Sequence, residues 1–216
     1  MHNEIIEYVK KEIANNGRKS QPFRDRFQHT MRVYAWAQRL QALEGGDLKT
    51  VQIAALFHDA GWDDVIPHQE VSATLARDYL TANGHTDVDI EKVVQAVANH
   101  NQRTSKAPLP IECYIVMDAD FLDEIGAITV LWDSMSTALE SDPSYLKAYE
   151  RLCHYFEENK SRECYLRTES GKRLYRERLA FLEHHIRNLE FELGLADNVP
   201  LPPMKEANSD TTVTIS

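Results

Sequence analysis

Nearly every stretch of this chain repeats its apolar residues at helical spacing, and breakers separate the stretches. Ile5, Ile6, Val9 and Ile13 make an opening amphipathic helix that stops near Asn15-Asn-Gly17. Pro22 is expected to open a second, long helix with His29, Val33, Trp36 and Leu40 on one face, ending before Gly45-Gly46. Asp47 can cap a third, which carries Val51, Ala54, Ala55 and His58. Pro67-His68 begins a fourth helix that closes at Asn83-Gly84, and a fifth spans Asp87 to Asn101. After the breaker-rich loop Arg103 to Pro110, helices fit Ile111 to Glu124 and about 128–140, 144–159 and 169–194. The expected fold is therefore all-α, one helical domain of about 8–10 helices over residues 1–196, with a central cleft where the polar inward residues meet. Residues 197–216, with Pro200, Pro202 and Pro203, read as a flexible polar tail.

Bulk properties narrow the function classes. A net charge of −10 argues against gripping long nucleic acid through its phosphates. It leaves room for a small anionic substrate, because a bound metal and a few local bases reverse the field within one cleft. Cys113, Cys153 and Cys164 are odd in number and widely spaced, as expected of reduced thiols in the cytoplasm rather than a disulfide framework. The first residues lack the apolar run of a signal peptide, and no segment approaches the roughly 20 apolar residues of a membrane span.

The chemistry lies in polar residues on inward faces or helix ends. His29 shares a face with Val33 and Trp36, and His58-Asp59 closes the apolar run from Val51 to Phe57. Asp118, Asp120 and Asp123 follow on the sixth helix. A lone inward histidine is ordinarily a hydrogen-bonded core residue, and a His-Asp dipeptide is common by chance. Together, two histidines and several acids at inward positions would be costly without a cation. A divalent ion accounts for the whole set, and mixed nitrogen and oxygen ligands suit Mn, Co, Ni, Zn, Fe or Mg. Asp118 and Asp120 stand about 200° apart around a helix, so both cannot face one ion.

The strings Arg26-Phe-Gln-His-Thr-Met-Arg-Val33, Ala54-Ala-Leu-Phe-His-Asp59 and Met117-Asp-Ala-Asp-Phe-Leu-Asp-Glu-Ile-Gly-Ala-Ile128 resemble, in order and setting, the HD superfamily of metal-dependent phosphohydrolases. The third string and Thr168 to Arg178 are similar to a bacterial branch of stand-alone HD hydrolases, some of which act on nucleotides. The resemblance implies His29, His58, Asp59 and Asp120 as metal ligands, with Asp118 as the fallback for the last. It also implies a second ion through His68 and His100, where the plainer reading is a helix cap and a helix C-terminus.

The same resemblance implies Asp59 and Asp63 as catalytic acids, although Trp62 replaces the glutamate of the family's acidic pair, and Asp63 also reads as a solvated turn residue. Arg32, Arg103, Lys106 and Lys172 are candidates for substrate phosphate, with Arg173 beside the last; Asp123 is a candidate for a substrate hydroxyl or for holding a basic neighbour. The expected activity is hydrolysis of a phosphate ester or anhydride of a nucleotide or other small phosphorylated metabolite. The alternative is an HD-type di-iron oxygenase, which the same histidines and acids would also serve. A nuclease is disfavoured by the acidic balance, and a silent binding module by the complete ligand set. Phe181, Leu182, Leu189 and Phe191 on the last helix are the residues that would pair two copies in a homodimer.

Overall fold

A computed structural model describes residues 2–196, so the expected tail lies outside the described residues. Among them, regular structure is entirely helical: α1 (His2–Asn15), α2 (Arg26–Glu44), α3 (Leu48–Phe57), α4 (His68–Ala82), α5 (Ile90–Asn99), α6 (Ile111–Asp123), α7 (Ala127–Ala138), α8 (Tyr145–Asn159) and α9 (Glu169–Glu192), with a 3-10 turn at Arg162–Tyr165. No helix among the described residues is long and apolar enough to cross a membrane.

Side-chain caps set most of the starts. Asp25, Asp47, Asp89, Ser144 and Thr168 each accept a hydrogen bond from a backbone N–H of the first turn they precede. Each such cap stabilises its helix by about 1 kcal/mol. The expectation that Pro22 opens α2 is corrected. The helix begins at Arg26 because Asp25 takes the extended cap conformation and receives the Gln28 N–H. Residues 17–25 are thereby left irregular, and they place Arg18 and Arg24 near the site. Likewise α5 starts at Ile90 rather than Asp87, since Asp89 is the capping acid.

Two helices are buried on all sides. From α3, Val51 and Ile53 to Phe57 have no exposed surface, and α6 is buried from Cys113 to Leu122 except at Tyr114. Each divides its side chains between two apolar clusters. Ile53, Leu56, Phe57 and Val116 pack with Ile5, Val9, Leu80, Val93 and Val97 on one side. Val51, Ala55, Ile115 and Ala119 pack with Val33, Leu40, Tyr175 and Leu182 on the other. Of the residues expected to pair two copies, Leu182 is therefore core and Leu189 packs against it, while Phe181 and Phe191 are exposed. Full burial of each large aliphatic side chain is worth about 1.5–3 kcal/mol. The wall between the clusters is therefore rigid, and the polar residues gather where α3 and α6 end.

Gly61 lets the chain leaving α3 press against the start of α4. A Cβ there would stand 2.6 Å from the Ser72 backbone N and 2.8 Å from the Val71 carbonyl carbon. The Gly61 N–H donates to Ser72 Oγ at 2.9 Å. Because backbone cannot step aside as a flexible side chain would, Gly61→Ala is expected to destabilise by about 1–3 kcal/mol. Thermal denaturation should show a fall of roughly 3–10 °C; an unchanged midpoint would contradict the close approach.

Candidate metal centre

His29 projects inward from α2, and His58 is the C-cap of α3. The His58 Nδ1 lies 2.8 Å from the Ala55 carbonyl, which can only accept, so Nδ1 carries the proton. The His29 Nδ1 lies 2.7 Å from Asp123 Oδ2 and donates to it. Both rings therefore turn Nε2 to the centre, where the two nitrogens stand 3.3 Å apart. Asp120 Oδ1 completes the group, 3.4 Å from His29 Nε2 and 3.7 Å from His58 Nε2. With metal–ligand bonds of about 2.0–2.2 Å, atoms sharing one ion fall roughly this far apart. Converging acceptors need a cation between them, and the donor set fits a divalent transition metal. Carboxylates and carbonyls that fix a ligating ring's tautomer are the usual support of such a site.

A second group adjoins the first, the His58 and His100 ring centroids being 5.2 Å apart. His100 repeats the His58 arrangement at the end of α5, with Nδ1 on the Val97 carbonyl at 2.8 Å. Its Nε2 lies 3.2 Å from His68 Nε2, which is 3.3 Å from Asp59 Oδ1. So the four expected ligands divide: His29, His58 and Asp120 converge, while Asp59 faces His68 and His100. The chain turns as it leaves α3, and the adjacent residues 58 and 59 point to neighbouring groups. Asp59 also takes both oxygens' hydrogen bonds from Arg18 Nη1 at 3.0 Å and one from Arg26 Nη2 at 3.1 Å.

The electrostatics suit metal binding. Burial opposes a charge on His29, but hydrogen bonds to Asp120 and Asp123 outweigh it and raise its pKa to about 9. Burial, with His58 beside it, lowers His100 to about 4, so it is an unprotonated donor at neutral pH. Burial would raise the Asp59 pKa, yet His58, Arg18 and Arg26 hold it below the ordinary carboxylate range. Asp120 likewise stays well below that range despite burial, through its hydrogen bond to His29 and the charge of Arg103.

The remaining expected residues scatter. Asp118 points away from the histidines: its carboxylate accepts from the backbone of Arg167 and from both the backbone and hydroxyl of Thr168. Its task is to seat α9. Asp123 joins the site indirectly, since it holds His29 while Arg32 grips its two oxygens at 2.8 and 2.9 Å. Arg103 reaches Asp120 Oδ2 at 2.6 Å over the Phe121 ring. Lys106 is exposed in the loop, and Lys172 pairs with Glu169 on the surface of α9. Asp63, expected as a catalytic acid, is exposed, and its Oδ1 accepts from Val65 and Ile66 N–H in a turn. That geometry is a turn acceptor's and belongs to neither ligand group.

Sequence reasoning missed Arg18, Arg26 and Glu124. Arg26 stands one helical turn before His29, a spacing that could have flagged it; Arg18 lies in irregular chain and carried no such signal. Two recesses flank the centre. One, about 410 Å³, is basic, with Arg18, Lys19, Arg24 and Arg26 on its walls. The other is a cavity of about 280 Å³ that begins at His29 and Asp123 and runs beneath α7.

Residues 26–125, which include every member of both ligand groups, match the family model of the HD domain. An uncharacterized protein of Bacillus subtilis, YpgQ, is 28% identical over 170 residues, covering 76% of this chain and 82% of its own. The crystal structure of YpgQ in complex with ADP is similar at 25% identity and a TM-score of 0.59, over 88% of this chain and 94% of that one. An HD-superfamily hydrolase from Bacillus thuringiensis shares the fold with a TM-score of 0.69 at 21% identity, over 90% of this chain and 97% of that one.

Proposed function

We propose that this chain, whose residues 26–125 match the family model of the HD domain, is a metal-dependent phosphohydrolase of the HD superfamily acting on a nucleotide or a related small phosphorylated metabolite. The observation that carries the reading is the convergence of His29 Nε2, His58 Nε2 and Asp120 Oδ1, with each ring's Nδ1 engaged by an outer acceptor. An ion there would displace the proton that His29 shares with Asp120. A divalent ion there would supply a water of lowered pKa and polarise a phosphoryl oxygen. The protein's own part is to orient and to balance charge. Arg18, Arg26 and Arg103 surround the two ligand groups and would meet a phosphoryl group entering beside Asp59 and Asp120. Buried N–H groups of Arg26 (Nη1) and Arg103 (Nε) have no hydrogen-bond partner, which leaves donors in hand at that place. The ADP held by YpgQ supports a nucleotide substrate.

The adjacent Asp59, His68 and His100 group also favours a second ion and keeps a di-iron oxygenase as the competing reading. A panel of nucleoside mono-, di- and triphosphates and sugar phosphates, screened with Mn²⁺, Mg²⁺, Co²⁺, Ni²⁺, Zn²⁺ and Fe²⁺, separates them. Phosphate or pyrophosphate should be released, stop on chelation and return with a divalent ion. Retained iron with oxygen uptake and no phosphate from any candidate would replace the hydrolase with the oxygenase.

A further inference from the structure

Glu124 is the acid near the centre that neither ligand group uses. Its backbone carbonyl is held from two sides, by the Thr129 hydroxyl at 2.8 Å and the Tyr155 hydroxyl at 2.5 Å. Its carboxyl takes no hydrogen bond among the described residues and keeps open surface toward the 280 Å³ cavity that His29 and Asp123 also line. An anchored backbone with an unengaged carboxyl is the arrangement of a residue placed to read something that enters.

Arg24, Asp25, Gln28 and Arg32 stand along its α2 side, and the wall facing them is mainly aromatic and aliphatic. Phe23 meets Trp132 edge to face at 5.1 Å, and the Arg24 guanidinium lies 4.9 Å over the Trp132 ring. From α7, Ile128 lines the interior, while Leu131 and Met135, one turn apart, stand 60% and 50% exposed at the rim. A volume of about 280 Å³ is at the small end of ligand sites and suits one ring system rather than a chain. Arg32 and Asp123 are tied to each other, and the Thr129 and Tyr155 hydroxyls to the Glu124 carbonyl. Apolar walls with a few convergent polar groups, the Glu124 carboxyl among them, give affinity through the ring's faces and specificity through its edge.

We propose that this cavity seats the base of the nucleotide, and that Glu124 selects bases whose accessible edge carries an amino group. The proposal rests on the nucleotide reading above and extends it to a specificity-determining residue. A carboxylate only accepts hydrogen bonds, so it matches the amino N–H of cytosine or adenine. The carbonyl that replaces the amino group in uracil or hypoxanthine would leave both acceptors facing one another. Such a mismatch at a site built around one hydrogen bond to a charged group discriminates by about tenfold or more.

Two measurements test this. The first needs neither an ion nor turnover: binding of cytidine, uridine, adenosine and inosine, read by tryptophan fluorescence with Trp132→Phe as the control for the reporter. Cytidine and adenosine should bind at least tenfold tighter than uridine and inosine, and Glu124→Gln should reduce the ratio to about twofold, because a carboxamide donates as well as accepts. The second compares kcat/KM for the matching nucleotide pairs, where the same loss of preference should appear mainly in KM. Equal binding of amino and oxo bases by the unaltered protein would overturn the proposal whether or not the variant folds. So would a uniform fall in kcat for every substrate in Glu124→Gln, which would put Glu124 in the chemistry instead. Discriminating binding with no phosphate release from any nucleotide would support the pocket and sink the phosphohydrolase reading.

Discussion

Asp59→Ala should abolish turnover and release the ion held by the second ligand group while the helices persist. Asp59 supplies the only carboxylate of the group it forms with His68 and His100, and outer partners of a metal site alone are worth about 10–100-fold in affinity. Losing a direct oxygen donor should cost at least that, with turnover falling on the order of 10²–10³ or more. The helical circular dichroism should survive, because Ile53, Leu56 and Phe57 pack as before in the core beside the site. The change also removes the partner of Arg18 and Arg26, both drawn to Asp59 within about 3 Å. Arg26 would keep only the Asp59 backbone carbonyl. The midpoint of thermal unfolding should therefore drop even in chelator, where no ion contributes. Elemental analysis, phosphate release and a melt in EDTA together decide it. Wild-type metal content in the variant would remove Asp59 from the ligand set.

The fold class was legible in the sequence because one physical signal, the 3.6-residue period of apolar residues, recurs in most of the helices, while the all-apolar run of α3 was read as helix from its alanines and the Asp47 cap. Caps with an unambiguous side chain, such as Asp47, were legible for the same local reason. Pro22 misled the start of α2 because proline tolerates a first turn but does not demand one, whereas Asp25 receives a real hydrogen bond. At the site, His29 and His58 could be named from order and inward placement, and Asp120 over Asp118 from the family resemblance alone. Their separation from Asp59 could not, since it depends on how the chain turns beyond the cap of α3. Arg32 and Asp123 show a second limit: a base and an acid on facing helices read equally well as ligand contacts or as a pair with each other, and here they pair. Nothing local announces the cavity, whose Phe23 and Trp132 come from distant parts of the chain and meet only through packing.

Asp118→Ala and Asp120→Ala, two positions apart, should give opposite signatures. Asp118 is 1% exposed, and its oxygens receive the Arg167 N–H, the Thr168 N–H at 2.8 Å and the Thr168 hydroxyl at 2.7 Å. Thr168 is itself the cap of α9, and Gly171 packs so closely that a Cβ would lie 2.5 Å from Asp118 Oδ2. A carboxylate there also faces the positive end of the α9 dipole. Removing it strands three buried donors, so Asp118→Ala should cost about 3–5 kcal/mol and lower the melting midpoint by roughly 10 °C. Metal content should match wild type at a temperature where the variant is folded. Asp120→Ala should do the reverse. Its Oδ1 is the oxygen beside His29 and His58, and its Oδ2 binds Arg103 at the edge of the centre. Loss of metal and turnover should be near complete, with a smaller shift of the midpoint measured in chelator. If Asp118→Ala instead stripped the ion while Asp120→Ala retained it, the carboxylate of the first group would have to be reassigned, and with it the orientation of α6 toward the histidines.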